Sequence, residues 1–197
     1  MIIEHIKASD LETNNWSGGT TTQLAIYPKD ADYKKLNFQF RISTASVECE
    51  ESTFTKLPGI SRKLMILNGE IKIEHKNQYL KNLKKFEQDE FSGDWDTISY
   101  GKAIDFNLMT TENTYGEIEA ISINKATDLY INKNIDCYSL YLFSGKMNIS
   151  INDKNIEIEK GDIILLFPNN NEQNIKINTN VKSEIILSRI NFNTITP

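Results

Sequence analysis

Two histidines and two cysteines in 197 residues leave little from which to build a metal centre. A His-rich transition-metal site cannot be assembled from His5 and His75 alone. Cys49 and Cys137 would close at most one disulfide, and with no export signal in the opening "MIIEHIKASD" they read as reduced thiols of a cytoplasmic chain. No apolar run approaches the roughly 20 residues that span a bilayer, so no membrane partner is expected. Net charge is −5 and the lysines are scattered, with no basic cluster interleaved with aromatic residues, which argues against nucleic acid. There is no Gly-x-Ser-x-Gly elbow and neither cysteine has a histidine near it in sequence, so no covalent nucleophile stands out. Long helical periodicity is missing too.

What is there is strand. "FQFRIS", "KLMIL", "EIKIEH", "AIDFNLM", "SLYLF", "KMNISI", "NIEIE", "DIILLF" and "EIILSRI" are short, rich in Ile, Leu and Phe, and mostly alternating. The chain also matches itself once, "LMILNGEIKIEHKNQ" from Leu64 against "LYLFSGKMNISINDK" from Leu140. Gly69 falls opposite Gly145, an interval the size of a small barrel unit rather than a solenoid repeat. In each copy the Gly, with Asn or Ser before it, predicts a tight hairpin. The second copy continues through a Gly161-Asp162 turn, a buried strand over Ile163 to Phe167, and Pro168, which ends it.

That order of parts resembles the cupin barrel. The expected fold is all-β, a bicupin of two tandem cupin-type β-barrels or sandwiches (RmlC-like jelly rolls), with one unit over 1–115 and the other over 116–197. Metal-dependent cupins carry His-x-His, then Glu, then Gly seven positions on, and a further His after the Gly-Asp strand and its Pro. Set on Gly69, that pattern places Lys56, Pro58 and Arg62 at the ligand positions; set on Gly145, it places Tyr138 at the Glu position; after Pro168 stands only "NNNEQ". The expected cofactor and metal content is therefore none. A guanidinium where a carboxylate would hold a cation inverts the preference toward anions.

Several stretches in order are similar to the HutD family, also called Ves. They are "NNWSGGTTTQL" (Asn14 to Leu24), "FRISTASV" (Phe40 to Val47), "FTKLPGISRKLMILNG" (Phe54 to Gly69), "FSGDW" (Phe91 to Trp95) and "DFNLM" (Asp105 to Met109). The resemblance implies a bicupin without the usual metal ligands, linked to histidine-utilisation gene clusters or stress responses and without an established catalytic activity. One departure stands in the opening, where the family commonly has Arg-Glu after the Gly-Gly-Thr-Thr and this chain has Thr22-Gln23.

Strand parity places Arg41, Ser43 and Ala45 on one face of their segment, Arg62, Leu64 and Ile66 on one face of theirs, and Asp105, Asn107 and Met109 on another. The expected ligand set is Trp16, Thr20, Thr21, Arg41, Ser43, Arg62, Asp105 and Asn107. Arg41 and Arg62 would hold a carboxylate, Asp105 and Asn107 would fix polar groups, and Trp16 with the "GGTTT" loop would close the mouth. Buried and unpaired, such groups are costly, so they either satisfy one another or meet a polar ligand.

Three functions remain open at this point. The first is a cytoplasmic, metal-independent protein that binds a small anionic metabolite to sense or sequester it. The second is a metal-independent isomerase or lyase with Asp105 or His75 as general base. The third is a protein-interaction module whose polar set merely pins strands. Sheet edges leave a homodimer open.

Overall fold

Ile, Leu and Phe at every second position make one face of a segment apolar, and a chain buries such faces by pairing strands. The computed structural model describes residues 1–151, 154–169 and 171–192, which form eighteen strands and two short 3-10 turns. Asn170, in the stretch where a cupin's last histidine would fall, and 193–197 of the expected second unit lie outside the described residues.

In chain order the strands are β1 (Ile2–Ile6), β2 (Thr13–Trp16), β3 (Gly19–Tyr27), β4 (Phe40–Val47), β5 (Glu51–Thr53), β6 (Ile60–His75), β7 (Tyr79–Lys84), β8 (Gln88–Ser92), β9 (Thr97–Tyr100) and β10 (Ala103–Thr111). There follow β11 (Thr114–Ile123), β12 (Thr127–Ile131), β13 (Cys137–Ser144), β14 (Lys146–Ile151), β15 (Lys154–Glu159), β16 (Ile163–Phe167), β17 (Gln173–Asn178) and β18 (Ser183–Phe192).

The described chain divides into two compact units, one of Glu12–Tyr115 and one that joins Met1–Leu11 to Gly116–Phe192. This corrects the expected assignment of the first residues. β1 pairs antiparallel with β16, Ile2 opposite Phe167 through Ile6 opposite Ile163. The reason is local: β16 is buried and apolar, its outer edge needs a hydrogen-bonding partner, and Ile3 of β1 packs on the same core.

That unit is a sandwich of two sheets, ordered β1-β16-β13-β18-β11 and β12-β17-β14-β15. Between them lie Tyr138, Leu140, Leu142, Ile164, Leu166, Ile185 and Leu187 from one sheet and Ile131, Met147, Ile149, Ile158, Ile175 and Ile177 from the other.

In the unit Glu12–Tyr115 the order is β2-β3-β4-β10-β6-β9-β5, with β7 and β8 also paired to β6. Here the expected hairpin at Asn68-Gly69 is not found. β6 runs on for 16 residues, its first half between β10 and β8 and its second half between β7 and β9. Gly69, at φ +84°, turns the strand through a corner without reversing it, and a Cβ there would stand 2.5 Å from the Lys102 carbonyl oxygen. Gly145, at φ +92°, ends β13 and opens β14 in the same way. The corner lets one strand serve two sheets, and Leu64, Ile66, Ile71, Ile73, Leu83 and Phe91 pack inside it.

Candidate functional site

Register decides which side chains share the interior of the Glu12–Tyr115 unit. Asp105 stands opposite Ala45 and Ile66, Asn107 opposite Ser43 and Leu64, and Met109 opposite Arg41 and Arg62. On the flanks, Gln23 stands opposite Ser43, Asp89 opposite Leu64 and Phe91 opposite Arg62. Directly paired residues share a face and successive rows lie about 6.7 Å apart. Arg41, Ser43, Arg62, Asp105 and Asn107 therefore occupy one face, and all are buried.

The two arginines differ in what they touch. Arg41 is engaged: its Nε donates to Gln23 Oε1 at 2.8 Å, an Nη donates to Ser43 Oγ at 3.0 Å, and the guanidinium lies 4.3 Å over the Tyr33 ring. Gln23 is the position where the resembled family carries Glu, and a neutral amide there leaves the charge of Arg41 uncompensated. Burial lowers its pKa from the ordinary arginine value.

Arg62 is 6% exposed, its guanidinium 4.8 Å from the Phe54 ring centre and 5.2 Å from that of Phe91, two rings that meet edge to face. Its Nε has no hydrogen-bond partner, and among the described residues the group makes no ion pair. With both rings on one side, its N–H groups are left for another group. Burial pulls Arg62 down to about 10, against the attraction of Asp105, so it stays charged at neutral pH.

Asp105 is 7% exposed and bonded to nothing among the described residues. Burial pushes its carboxyl up to about 7 in spite of Arg62, whose field favours the ionised form. The two groups feel each other's charge and are not joined. Asn107 Oδ1 is also buried without a partner.

His75, by contrast, is fully engaged at 1% exposure. One ring nitrogen bonds Asp89 Oδ2 at 3.0 Å and the other Thr97 Oγ1 at 2.8 Å, while Tyr79, Phe91 and Trp95 surround the ring. Lys81 Nζ and the Tyr79 hydroxyl donate to the same Asp89 carboxylate. Burial, with help from Asp89, pushes the Tyr79 phenol up to about 12 and keeps it a donor. This network braces Phe91, which in turn plates Arg62.

The mouth differs from expectation. Gly18 of "GGTTT" lies in the turn after β2 and Gly19 to Thr22 open β3 rather than form a lid, and because neighbours on a strand point oppositely, Thr21, opposite Ala45, shares the Asp105 face while Thr20 faces away. Trp16 is 39% exposed, with its ring over Gly18 beside Cys49 Sγ. Of the positions where a cupin would carry ligands, Lys56 pairs with Asp96 at the surface and the Tyr138 hydroxyl accepts from the Asn132 amide. Asp94 accepts from the Gly59 amide, an ordinary turn contact. Among the described residues no group of three or more His, Cys, Asp or Glu side chains could share a metal ion. Residue order alone missed Gln23, Tyr33, Phe54 and Phe91, although Phe54 and Phe91 open two of the stretches quoted above.

Two corner-turned barrel or sandwich units, one with a buried polar face, define a bicupin. The HutD family profile matches residues 8–187, and the chain belongs to that family. Among solved structures it is similar to a conserved protein of unknown function from Pseudomonas aeruginosa PAO1, with TM-score 0.85 and 17% identity over 97% of this chain and 100% of that one. HutD from Pseudomonas fluorescens SBW25 superimposes at TM-score 0.74 with 16% identity, covering 97% and 99% of the two chains. The bacterial pirin YhhW of Escherichia coli, solved with nickel(II), gives 0.67 and 11%, covering 95% and 98%. These likenesses speak to the fold. Potassium channel K2 of Plasmodium berghei is 27% identical over 129 residues, 56% of this chain but 8% of that protein, so the chain spans under a tenth of its length. Among the described residues no helix is long and apolar enough to cross a membrane.

Proposed function

We propose that the Glu12–Tyr115 unit binds a small carboxylate metabolite at Arg62, and that the protein senses or sequesters it in the cytoplasm in connection with histidine utilisation. The observation behind this reading is the Arg62 guanidinium, buried, set against two rings on one side and without a hydrogen-bond partner among the described residues. An anion offers it the charge-assisted hydrogen bonds it lacks. Asn107 and Ser43 fix the orientation, Arg41 adds positive potential from β4 across β10, and Thr21 and Trp16 stand toward the β2–β3 rim. No metal takes part in this reading, and neither nucleic acid nor membrane is a partner; the chain works alone or as a homodimer through its sheet edges.

The test is thermal unfolding against small carboxylates, phosphates, sugars and divalent metals, with Arg62→Met alongside. A carboxylate at about 100 times its dissociation constant adds roughly 2.7 kcal/mol to the native state. A shift with carboxylates that is lost in Arg62→Met is the expected result. A shift only with a metal, or none with any acid, defeats the reading.

One observation favours catalysis as a second reading: a buried carboxyl poised at about 7 suits a general acid or base. In that case Asp105→Asn would bind substrate and fail to turn it over.

A further inference from the structure

The relation between Arg62 and Asp105 carries a consequence for what the site accepts. We propose that Asp105 is the specificity-determining residue of the Arg62 site: a carboxylate binds between the two together with one proton, which Asp105 takes from solvent and uses to donate a hydrogen bond to the bound anion. This rests on reading the Arg62 face as an anion site and names the protonation state in which it works.

Two groups of opposite charge that are buried on one face ordinarily close into an ion pair, because the pair offsets part of what burial costs each of them. Arg62 and Asp105 do not close. The Arg62 Nε remains a bare donor, Asp105 has no hydrogen bond among the described residues, and Asp105 stands two rows from the position opposite Arg62. Phe54 and Phe91 pack against one side of the guanidinium, and Asp105 belongs to a strand whose register shifts between Ile104 and Asp105. The two thus stand apart without a hydrogen-bond partner among the described residues, and a group that accepts from both would satisfy both.

The charged and titratable groups on the surrounding elements leave Asp105 responsive. β4 contributes Arg41, occupied by Gln23, Ser43 and the Tyr33 ring of the 3-10 turn. β6 contributes Arg62 and His75, and β8 contributes Asp89, which His75, Tyr79 and Lys81 already engage. Arg62 is the charge that lowers the Asp105 pKa against burial. An anion placed against Arg62 neutralises that help and adds a negative charge beside the carboxyl, and both changes favour the protonated acid. Ligands that offer only donors, such as amines, gain nothing at Arg62.

Formate serves as the probe, since it stays a monoanion over the whole useful range. Its dissociation constant is measured by the thermal shift from about pH 6 to about pH 9, and calorimetry in Tris and in HEPES at about pH 8 reports proton uptake. The expected result is an affinity that is flat at the acid end and falls about tenfold per pH unit above about pH 7, with close to one proton taken up per formate bound. Asp105→Asn, whose amide can donate without titrating, should bind formate with that slope gone. Formate binding that is independent of pH, or a slope that survives in Asp105→Asn, overturns the role of Asp105 and leaves the anion site standing. The proton count comes from the unmodified protein and decides the matter even if the variant does not fold. Failure of formate and of every other carboxylate to bind at any pH overturns the anion site itself, and this inference with it.

Discussion

Asp105 is kept at a cost to the fold, and the sign of that cost can be worked out. Its carboxyl sits at about 7 in the folded chain, above its ordinary value of 3.8. Below about pH 4 both folded and unfolded chains hold the proton, and Asp105 makes no difference to stability. Between about pH 4 and about pH 7 the unfolded chain releases it while the folded chain keeps it, so stability falls as pH rises, and above that window the penalty is complete. Asp105→Asn removes the titration. It should match the parent near about pH 4 and exceed it by a few kcal/mol near about pH 8, read from urea midpoints across a pH series. A variant no more stable than the parent at the higher pH would point to a strand-pinning role instead. Asp89 is the opposite case, buried but bonded by His75, Tyr79 and Lys81. Asp89→Ala strands those donors and should cost about 3 kcal/mol in the same assay. Parity along each strand put Arg41, Arg62, Asp105 and Asn107 on their faces; it could not say that Asp89 is satisfied and Asp105 is not, because the partners come from strands distant in sequence.

At the scale of the element, β6 shows how far local pattern reaches. The alternation on either side of Gly69 and the glycine itself were legible, and so was the matching arrangement around Gly145. The direction of the chain beyond the glycine was not. A reversal and a corner both use a residue at positive φ between two alternating segments, and what distinguishes them is the partner strand. For β6 those partners are β10 and β8 on one side of the corner and β7 and β9 on the other, so the information lies outside the segment. The same limit affected β3, where "GGTTT" has the composition of a loop and becomes a strand because β4 pairs along its length. The corner is specific enough to test. Gly69→Ala forces a Cβ toward the Lys102 carbonyl at an unfavourable φ and should lower stability by about 2 kcal/mol. Asn68→Ala, one residue earlier in an exposed position, should change it by less than about 0.5 kcal/mol. Equal effects at the two positions would mean that the corner tolerates a side chain and that backbone strain is not what fixes β6.

For the molecule as a whole, the chain's first residues belong to its last unit. β1 supplies a hydrogen-bonded edge to β16, and a second tie reinforces it: Asp162, in the turn before β16, accepts from the Ala8 amide at 2.8 Å and bonds His5 Nε2 at 2.9 Å. Burial raises the Asp162 carboxyl, but the Ala8 and Glu159 amides and His5 outweigh it, and the net pKa lies below the ordinary value. A carboxylate held low stabilises the fold above its unfolded pKa, and that contribution is lost as pH falls through the folded one. Asp162→Asn should therefore cost about 2 kcal/mol at neutral pH, with the difference closing below about pH 4. Removing residues 1–8 takes away the strand and the tie together. It exposes the backbone edge of β16 and uncovers core that Met1 and Ile3 pack against. Hydrogen exchange should then show faster exchange along β16 and β13, while the amides of β4, β6 and β10 in the unit Glu12–Tyr115 keep their protection. Unchanged protection in β16 would mean that this edge is stable without β1. Faster exchange in β6 and β10 as well would mean that the two units unfold as one, and that the amino-terminal strand supports the arginine site as well as the unit it joins.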